Sequence, residues 1–384
     1  MYPTVSEFLK SYGIQLKLPI QTFGFFVALA FGLAAYLLGK ELRRKQGEGF
    51  IQPQLRKRTI GEPAKPSEYV YNAIGGFFVG YKLLHLISNY AQFADNPQAM
   101  LLSLEGSFLG GLVGAVALAY WKYYEVKKTI LPQPKVIEEK VNAEDHLGNI
   151  IMLGVVGGIA GAKIFHNLEN PAEFFADPIG ALFSFSGLTF YGGLIVAAIL
   201  IIRYGKKNGI NAWHLCDAAA PALMMSYGVG RLGCQLSGDG DWGIVNNAPK
   251  PGWMSGLPDW MWSFKFPHNV NNEGISIPGC VGRWCHELPE PVFPTSFYEF
   301  LMAAALFAVL WSIRKRIQIP GLLFSIYLIM NGAERFLIEQ IRVNSLYTFG
   351  SFQVTQAQII SSLLIITGIA GIRYTIQKSK APSA

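Results

Sequence analysis

The stretch 331-NGAERFLIEQIRVN-344 sets Arg335, Glu339 and Arg342 inside an otherwise apolar segment. Spacings of four and three residues predict that all three share one face of a helix. The flanks, 321-GLLFSIYLIM-330 and the apolar run 354–372, place that helix in a bilayer. A charge at mid-membrane costs roughly 2.5–3.5 kcal/mol on insertion scales, so charges kept there usually face a polar interior and mark function. The competing reading is a structural Arg–Glu pair, or interfacial charges that snorkel outward.

Composition points the same way. Hydrophobic residues make up 51% of the chain, charged residues 15%, and mean hydropathy is +0.29. This describes an all-α polytopic integral membrane protein. Counting segments of about 20 apolar residues predicts nine spans, near 18–39, 71–91, 98–121, 147–167, 188–204, 212–230, 296–313, 320–340 and 354–373. The opening 1-MYPTVSEFLKSYG-13 lacks a basic n-region and a small-residue cleavage site, so the first span is expected to stay in the protein.

Lysine and arginine placement gives the orientation. Basic clusters follow every odd-numbered span: Lys40, Arg43, Arg44 and Lys45 with Arg56, Lys57 and Arg58; Lys122, Lys127 and Lys128; Arg203, Lys206 and Lys207; Arg314, Lys315 and Arg316; Arg373, Lys378 and Lys380. An outside N-terminus and a cytoplasmic C-terminus follow. The net charge of +7 is then a topogenic signal, with no nucleic-acid partner expected. The same topology puts 231–295 outside, where a Trp-, Pro- and Gly-rich loop is expected to fold as a small head. Cys280 and Cys285 in it can form a disulfide in an oxidising compartment, or remain two thiols. Cys216 falls within a span.

Two blocks look alike at a separation of about 81 residues: 68-EYVYNAIGGFFVGYKLLHLISNY-90 with 106-GSFLGGLVGAVALAYWKYYEVKK-128, and 147-LGNIIMLGVVGGIAGAKIFHNLEN-170 with 187-GLTFYGGLIVAAILIIRYGKK-207. Lys82 and His85 match Lys163 and His166; Asn96-Pro97 matches Asp177-Pro178. A duplicated helix pair is expected. The organisation read from this is an N-terminal span and basic loop (1–60), an additional helix pair (61–130), core spans (131–230), the head (231–295) and C-terminal spans with a basic tail (296–384).

Three motifs carry candidate chemistry. In 228-GVGRLGCQLSGDGDWG-243, Gly230 and Gly233 let backbone come close to a helix or a ligand. Arg231 can grip a phosphodiester with two parallel hydrogen bonds, and Asp239 and Asp241 follow as partners or bases. The alternative is a glycine-rich helix end with a snorkelling arginine. In 189-TFYGGLI-195, Tyr191 beside Gly192 and Gly193 either moves a proton, binds phosphate, or caps a helix contact. In 294-PTSFYEF-300, Tyr298 and Glu299 either line the same cavity or anchor at the interface. His85, His146, His166 and His214 lack metal-like spacing, and no metal or organic cofactor is implied.

These motifs, in this order, resemble the prolipoprotein diacylglyceryl transferases, bacterial membrane enzymes that move a diacylglyceryl group from phosphatidylglycerol to the lipobox cysteine of a preprolipoprotein. The likeness runs from about 147 to 373 and more faintly over the first span. The family's Gly-Arg-x-Gly-Asn signature reads 230-GRLGC-234, with Cys234 for asparagine. Its Arg–Glu–Arg helix resembles Arg335, Glu339 and Arg342, and its Pro-Ser-x-x-Tyr-Glu turn is similar to 294-PTSFYE-299. Its aspartate before the signature helix falls on Asp217, and its Gly-Ala-Arg step on 161-GAK-163. The family's His-Gly-Gly-Leu element is here Tyr191-Gly192-Gly193-Leu194, and its first-span tyrosine falls on Phe23.

The resemblance implies phosphatidylglycerol and preprolipoprotein signal peptides as substrates, met among membrane lipids at the bacterial inner membrane. Arg231 and Arg335 would hold the lipid phosphate. Tyr191, Asp239 or Asp241 would take the thiol proton, and Glu339 and Arg342 would orient Arg335. Gly192, Gly193, Gly230, Gly233, Cys234, Tyr298 and Glu299 would line the substrate cavity, which is expected to open to the bilayer. A non-catalytic lipid- or lipoprotein-binding paralogue, and a transporter built on the repeated pairs, are the rival readings.

Overall fold

A bilayer offers backbone groups no hydrogen bonds, so long apolar segments must satisfy their own N–H and C=O groups, and a helix does this within one segment. The structure, a computed structural model, describes residues 1–183, 189–344, 346–349 and 352–380. A short α1 (Val5–Ser11), capped by the Thr4 hydroxyl, precedes α2 (Thr22–Gly47) and strand β1 (Gln54–Ile60). Next come α3 (Pro66–Ser88), the short α4 (Tyr90–Asp95) and α5 (Pro97–Leu102), α6 (Phe108–Thr129) and strand β2 (Lys135–Val141). A 3₁₀ turn leads into α7 (Leu147–Glu169), the short α8 (Pro171–Ala176) and α9 (Pro178–Phe183), α10 (Phe190–Lys207) and α11 (Ala212–Ser237). A loop-rich segment carries β3 (Ile275–Ser276) and β4 (His286–Glu287). Helices α12 (Thr295–Ile313) and α13 (Leu322–Ile338), strands β5 (Leu346–Phe349) and β6 (Phe352–Thr355), and α14 (Gln356–Lys380) complete it.

The protein is mostly helical, and among the described residues five helices are long and apolar enough to cross a membrane: Thr22–Gly47, Pro66–Ser88, Ala143–Glu169, Thr295–Ile313 and Gln356–Lys380. Five of the nine predicted spans fall on these helices and the other four on α6, α10, α11 and α13, with three differences from the expectation. The third helix starts at Phe108, not near 98, because Ser107 caps it and α5 is a separate turn. The sixth runs to Ser237, so Arg231 and Cys234 are helical, and the loop-rich segment begins after them, at Gly238 in left-handed conformation. The all-α expectation missed three two-stranded antiparallel ladders. In the β1–β2 ladder Lys57 and Arg58 pair with Glu138 and Glu139 at 3.9 and 3.7 Å, so acids answer part of that basic cluster.

The two similar blocks fold alike. Each is a long helix, two short helices and a second long helix. Asn89 and Asn170 each reach back to the His85 and His166 carbonyls, at 3.0 and 3.1 Å. Asn96 and Asp177 each cap the second short helix. Close packing of the long helices uses equivalent glycines: a Cβ on Gly80 would strike the Gly110 carbonyl, and one on Gly161 the Gly192 carbonyl. Gly192 and Gly193 thus serve the contact between α7 and α10.

Helix α11 is the axis of the remaining bundle, packed by α2, α12 and α13, with Ala218, Ala220, Ala222 and Met224 buried along it. Gly233 admits Phe26 of α2, and Gly228 admits Ala303 of α12. At the start of α11, Asp217 accepts hydrogen bonds from the Gly321 and Phe324 N–H groups, both 2.9 Å, closing the free end of α13. Buried Lys45 lies 3.6 Å from the same carboxylate. Glu41, also buried, takes Arg44 and Arg314. Charge is therefore paired inside the bundle rather than exposed to it.

Asp217→Ala should lower the thermal unfolding midpoint in detergent by an amount equivalent to about 3–5 kcal/mol, since it orphans Lys45 and uncaps α13 together. Asp217→Asn, which keeps one of the two acceptor oxygens for the cap, should lose less. Equal losses in both would contradict the capping role.

Candidate active site

At the far end of α11, fourteen residues and ~21 Å from Asp217, the second ionic layer forms. Its centre is Glu299, the fifth residue of α12, whose side chain has 0% exposure. Arg335 Nη1 of α13 donates to Glu299 Oε1 at 2.9 Å. Arg342 Nη1 donates to both carboxylate oxygens, at 3.3 and 3.1 Å, and Arg231 Nε lies 3.4 Å from Oε2. The Tyr227 hydroxyl adds a fourth donor at 3.0 Å, and its ring lies under the Arg231 guanidinium at 5.2 Å. Arg231 falls four residues after Tyr227, one turn on, so both face the same carboxylate.

Asp241 is the second acceptor. Arg231 Nη1 and Arg342 Nη2, the latter at 2.5 Å, both bind it. Its own carbonyl takes the Thr295 and Ser296 hydroxyls at 2.8 Å each, which fixes the turn after α11 to the start of α12. Burial works against the charge on Asp241, but Arg231 and Arg342 hold its carboxyl below the usual carboxylate range. Asp239 differs: burial pushes it above that range, and its nearest groups are the Cys234 thiol and Asp241 itself. The two aspartates, inseparable by spacing, are thus distinct in partners and in ionisation.

Arg342 does not share a helix face with Arg335. Helix α13 ends at Ile338; a 3₁₀ turn follows, and Arg342 is extended, with an isolated bridge to Gly243. The expected guanidinium still arrives, but through the loop. Glu339 does orient Arg335, at 3.2 Å, and is itself held by Asn344 Nδ2 at 2.5 Å. Arg342 acts on Arg335 only through their common partner Glu299. Arg231 and Arg335 keep 19% of their side-chain surface exposed against 7% for Arg342, so the first two are the cations a ligand can meet.

The other expected residues separate. Cys234 is buried beside Asp239 and Asp241, with the three possible ligand atoms within 4.8 Å of one another. Those are the described residues spaced to suit a metal ion, but the two guanidiniums on Asp241 oppose a cation there. Gly230 has open space where a Cβ would stand, beside Arg231, and Gly233 is filled by α2. The Tyr298 hydroxyl is committed to the Met261 carbonyl at 2.7 Å, which ties α12 to the loop-rich segment. Tyr191 is half-buried in the first turn of α10, on the repeated pair rather than on the helices that build the ionic layer.

Sequence reasoning missed Tyr227, Thr295, Ser296 and Glu334. The last is buried next to Arg335, its carboxyl beside Tyr227 without a hydrogen bond of ordinary length among the described residues. A groove of about 480 Å³ runs between α13 and α14, lined by Phe336, Gln340, Ile359 and Leu363 among others. Its lining residues Phe336 and Gln340 follow Arg335 and Glu339 in sequence, and it shares no lining residue with the ionic layer. In the loop-rich segment Phe266, Leu288 and Val292 form a buried cluster, and Cys280 and Cys285 are disulfide-bonded.

Glu299→Gln should destabilise the protein more than Glu339→Gln, by about 3 kcal/mol or more, because it strips three guanidiniums of a shared partner. Thermal unfolding of both variants in one detergent checks the order; the reverse order would remove Glu299 from the centre.

The sequence model of the prolipoprotein diacylglyceryl transferases matches residues 126–374. Relatives named phosphatidylglycerol–prolipoprotein diacylglyceryl transferase include one from Leptospira interrogans, 27% identical over 237 residues, covering 55% of this chain and 66% of the relative. That is just under two-thirds of the relative's length. One from Vibrio vulnificus is 33% identical over 225 residues, 57% of this chain and 69% of its own. One from Dehalococcoides mccartyi is 25% identical over 271 residues, covering 70% and 88%. With a family match that takes in α7 to α14 and every residue of the ionic layer, this chain belongs to the prolipoprotein diacylglyceryl transferase family.

Proposed function

We propose that this chain transfers a diacylglyceryl group from phosphatidylglycerol to the lipobox cysteine thiol of preprolipoproteins, at the outer half of a bacterial inner membrane. The observation that carries the reading is the pair Arg231 and Arg335, brought from separate helices onto one carboxylate with part of each guanidinium left open. Their charge is balanced by Glu299, Asp241 and Glu339, so a lipid phosphate binds by taking over hydrogen bonds these carboxylates now hold.

In the transfer, the thiolate attacks the glyceryl carbon bonded to the phosphate oxygen. The C–S bond forms, the C–O bond breaks, and glycerol phosphate leaves with one more negative charge. Arg231 and Arg335 stabilise that developing charge, a contribution typically worth 10²–10³ in rate per donor. The thiol proton goes to a base, because the thiolate is the nucleophile. Asp239 is the base: it has no guanidinium partner among the described residues, and burial raises its proton affinity toward the working pH. Asp241, held by two arginines, serves as scaffold. Tyr191 then has no required proton to move. Gly230 leaves the space beside Arg231 where the lipid phosphate approaches.

The finer topology belongs to the same proposal. All nine long helices span, with the N-terminus and the 238–294 head outside and the basic ends in the cytoplasm. Signal peptide and lipid reach the site from the bilayer, past Arg335 along the α13–α14 groove.

Mass spectrometry of a lipobox peptide incubated with the purified protein and phosphatidylglycerol should show a diacylglyceryl mass gain on the cysteine. Arg231→Ala and Arg335→Ala should each cut the rate by 10² or more. No gain, with an active family member working in the same assay, would favour a binding paralogue. Asp239→Asn should cut the rate sharply while leaving the unfolding midpoint near that of the parent. In the parent, transfer should fall as pH drops through the raised Asp239 value, since only the ionised carboxylate accepts a proton. A residual rate in Asp239→Asn that keeps the parental acid limb would assign the base elsewhere.

A further inference from the structure

A cavity of about 640 Å³ lies at the other end of the bundle, where α10 and α14 finish and α11 begins. Lys206 from the last turn of α10 and Lys378 from the last turn of α14 line it, with Asn211, Trp213, Ile202 and Cys216. Trp213 stands eighteen residues before Arg231 on α11, ~27 Å along the axis, so this cavity is separate from the ionic layer around Glu299. The acids packed nearby are already engaged: Glu41 by Arg44 and Arg314, Asp217 by Lys45. Lys206 and Lys378 therefore face the cavity with no carboxylate partner among the described residues.

We propose that this cavity binds one anionic phospholipid. Two exposed lysines from different helices line this cavity with no acid among its lining residues, so an anion placed there has two cations to meet. Phosphate meets both as a compact double acceptor. The apolar lining from Ile202 and Cys216 suits an acyl chain rather than a fully hydrated ion, and Trp213, half exposed, has the amphipathic ring that settles at headgroup level. The volume is of the size that ligand sites take, and basic recesses between membrane helices hold anionic headgroups by the same means. Bound there, the lipid would join the ends of α10 and α14, helices whose main packing partners, α7 and α13, are different.

Native mass spectrometry of the full chain in micelles doped with phosphatidic acid tests this. One phosphatidic acid, additional to any lipid at the ionic layer, should be retained that phosphatidylcholine at equal concentration does not replace. The double variant Lys206→Gln/Lys378→Gln should weaken that retention about tenfold, with its lipid-free unfolding midpoint unchanged. Lys206→Arg/Lys378→Arg should keep it, and so should Arg231→Ala, which acts only on the distant site. Undiminished retention in the Gln pair, its loss in Arg231→Ala, or equal retention of phosphatidylcholine would overturn the proposal. So would displacement by equimolar inorganic phosphate, which would make the site one for a free anion.

Discussion

A carboxylate with no exposed surface, shared by three guanidiniums, is the constraint on which the rest of this protein depends. Removing Glu299 from water costs several kcal/mol, which only close and multiple hydrogen bonding offsets. Its partners come from the end of α11, the end of α13 and the loop beyond it, while Glu299 itself lies one turn into α12. Satisfying one side chain therefore fixes three helix ends. Asp241 repeats the device one layer outward: two arginines on its carboxylate, two hydroxyls on its carbonyl. The arrangement is neutral when Glu299, Asp241 and Glu339 are counted against the three arginines. A neutral layer can persist in a low-dielectric setting without ligand, yet exchange one anionic partner for another.

Much of this was legible in the sequence, and the misses share a cause. Apolar length located the long helices, because each must satisfy its backbone alone whatever its neighbours do. The same independence made the buried arginines conspicuous. What periodicity could not show was where a tertiary contact ends a helix. Arg342 reads as helical by spacing, but its backbone pairs with Gly243 and its neighbour Ile341 accepts from Ile244, drawing the chain out of α13. Asp239 and Asp241 were indistinguishable for a similar reason. Two residues apart in one turn, they differ only in whether an arginine reaches them. Glu41 and Lys45 sit where the first helix outruns its apolar stretch, and their burial follows from partners on other helices.

The repeated units show how far a local pattern reaches. Equivalent glycines, asparagine latches and caps recur in α3–α6 and α7–α10 because each governs contacts within its own unit. The units differ at the head of their second long helix, Leu109 against Tyr191, although both carry the Gly-Gly step that follows. Packing through the glycines is therefore shared between the copies, while the residue ahead of the Gly-Gly step differs between them. That separates the structural part of the Tyr-Gly-Gly motif, its glycines, from the residue that precedes them.

The β1–β2 ladder has a consequence for how this architecture is assembled. Gln54 stands opposite Val141, and each following pair stays in register up to Ile60 and Lys135. The segment holding α3 to α6 thus leaves the chain and returns to it at neighbouring points, ~5 Å apart. A polypeptide lacking that segment would close the gap with a single turn and leave α2 and α7 undisturbed. In topological terms it is a side branch: lengthening, trimming or exchanging it alters nothing in the order or direction of the helices that meet at Glu299.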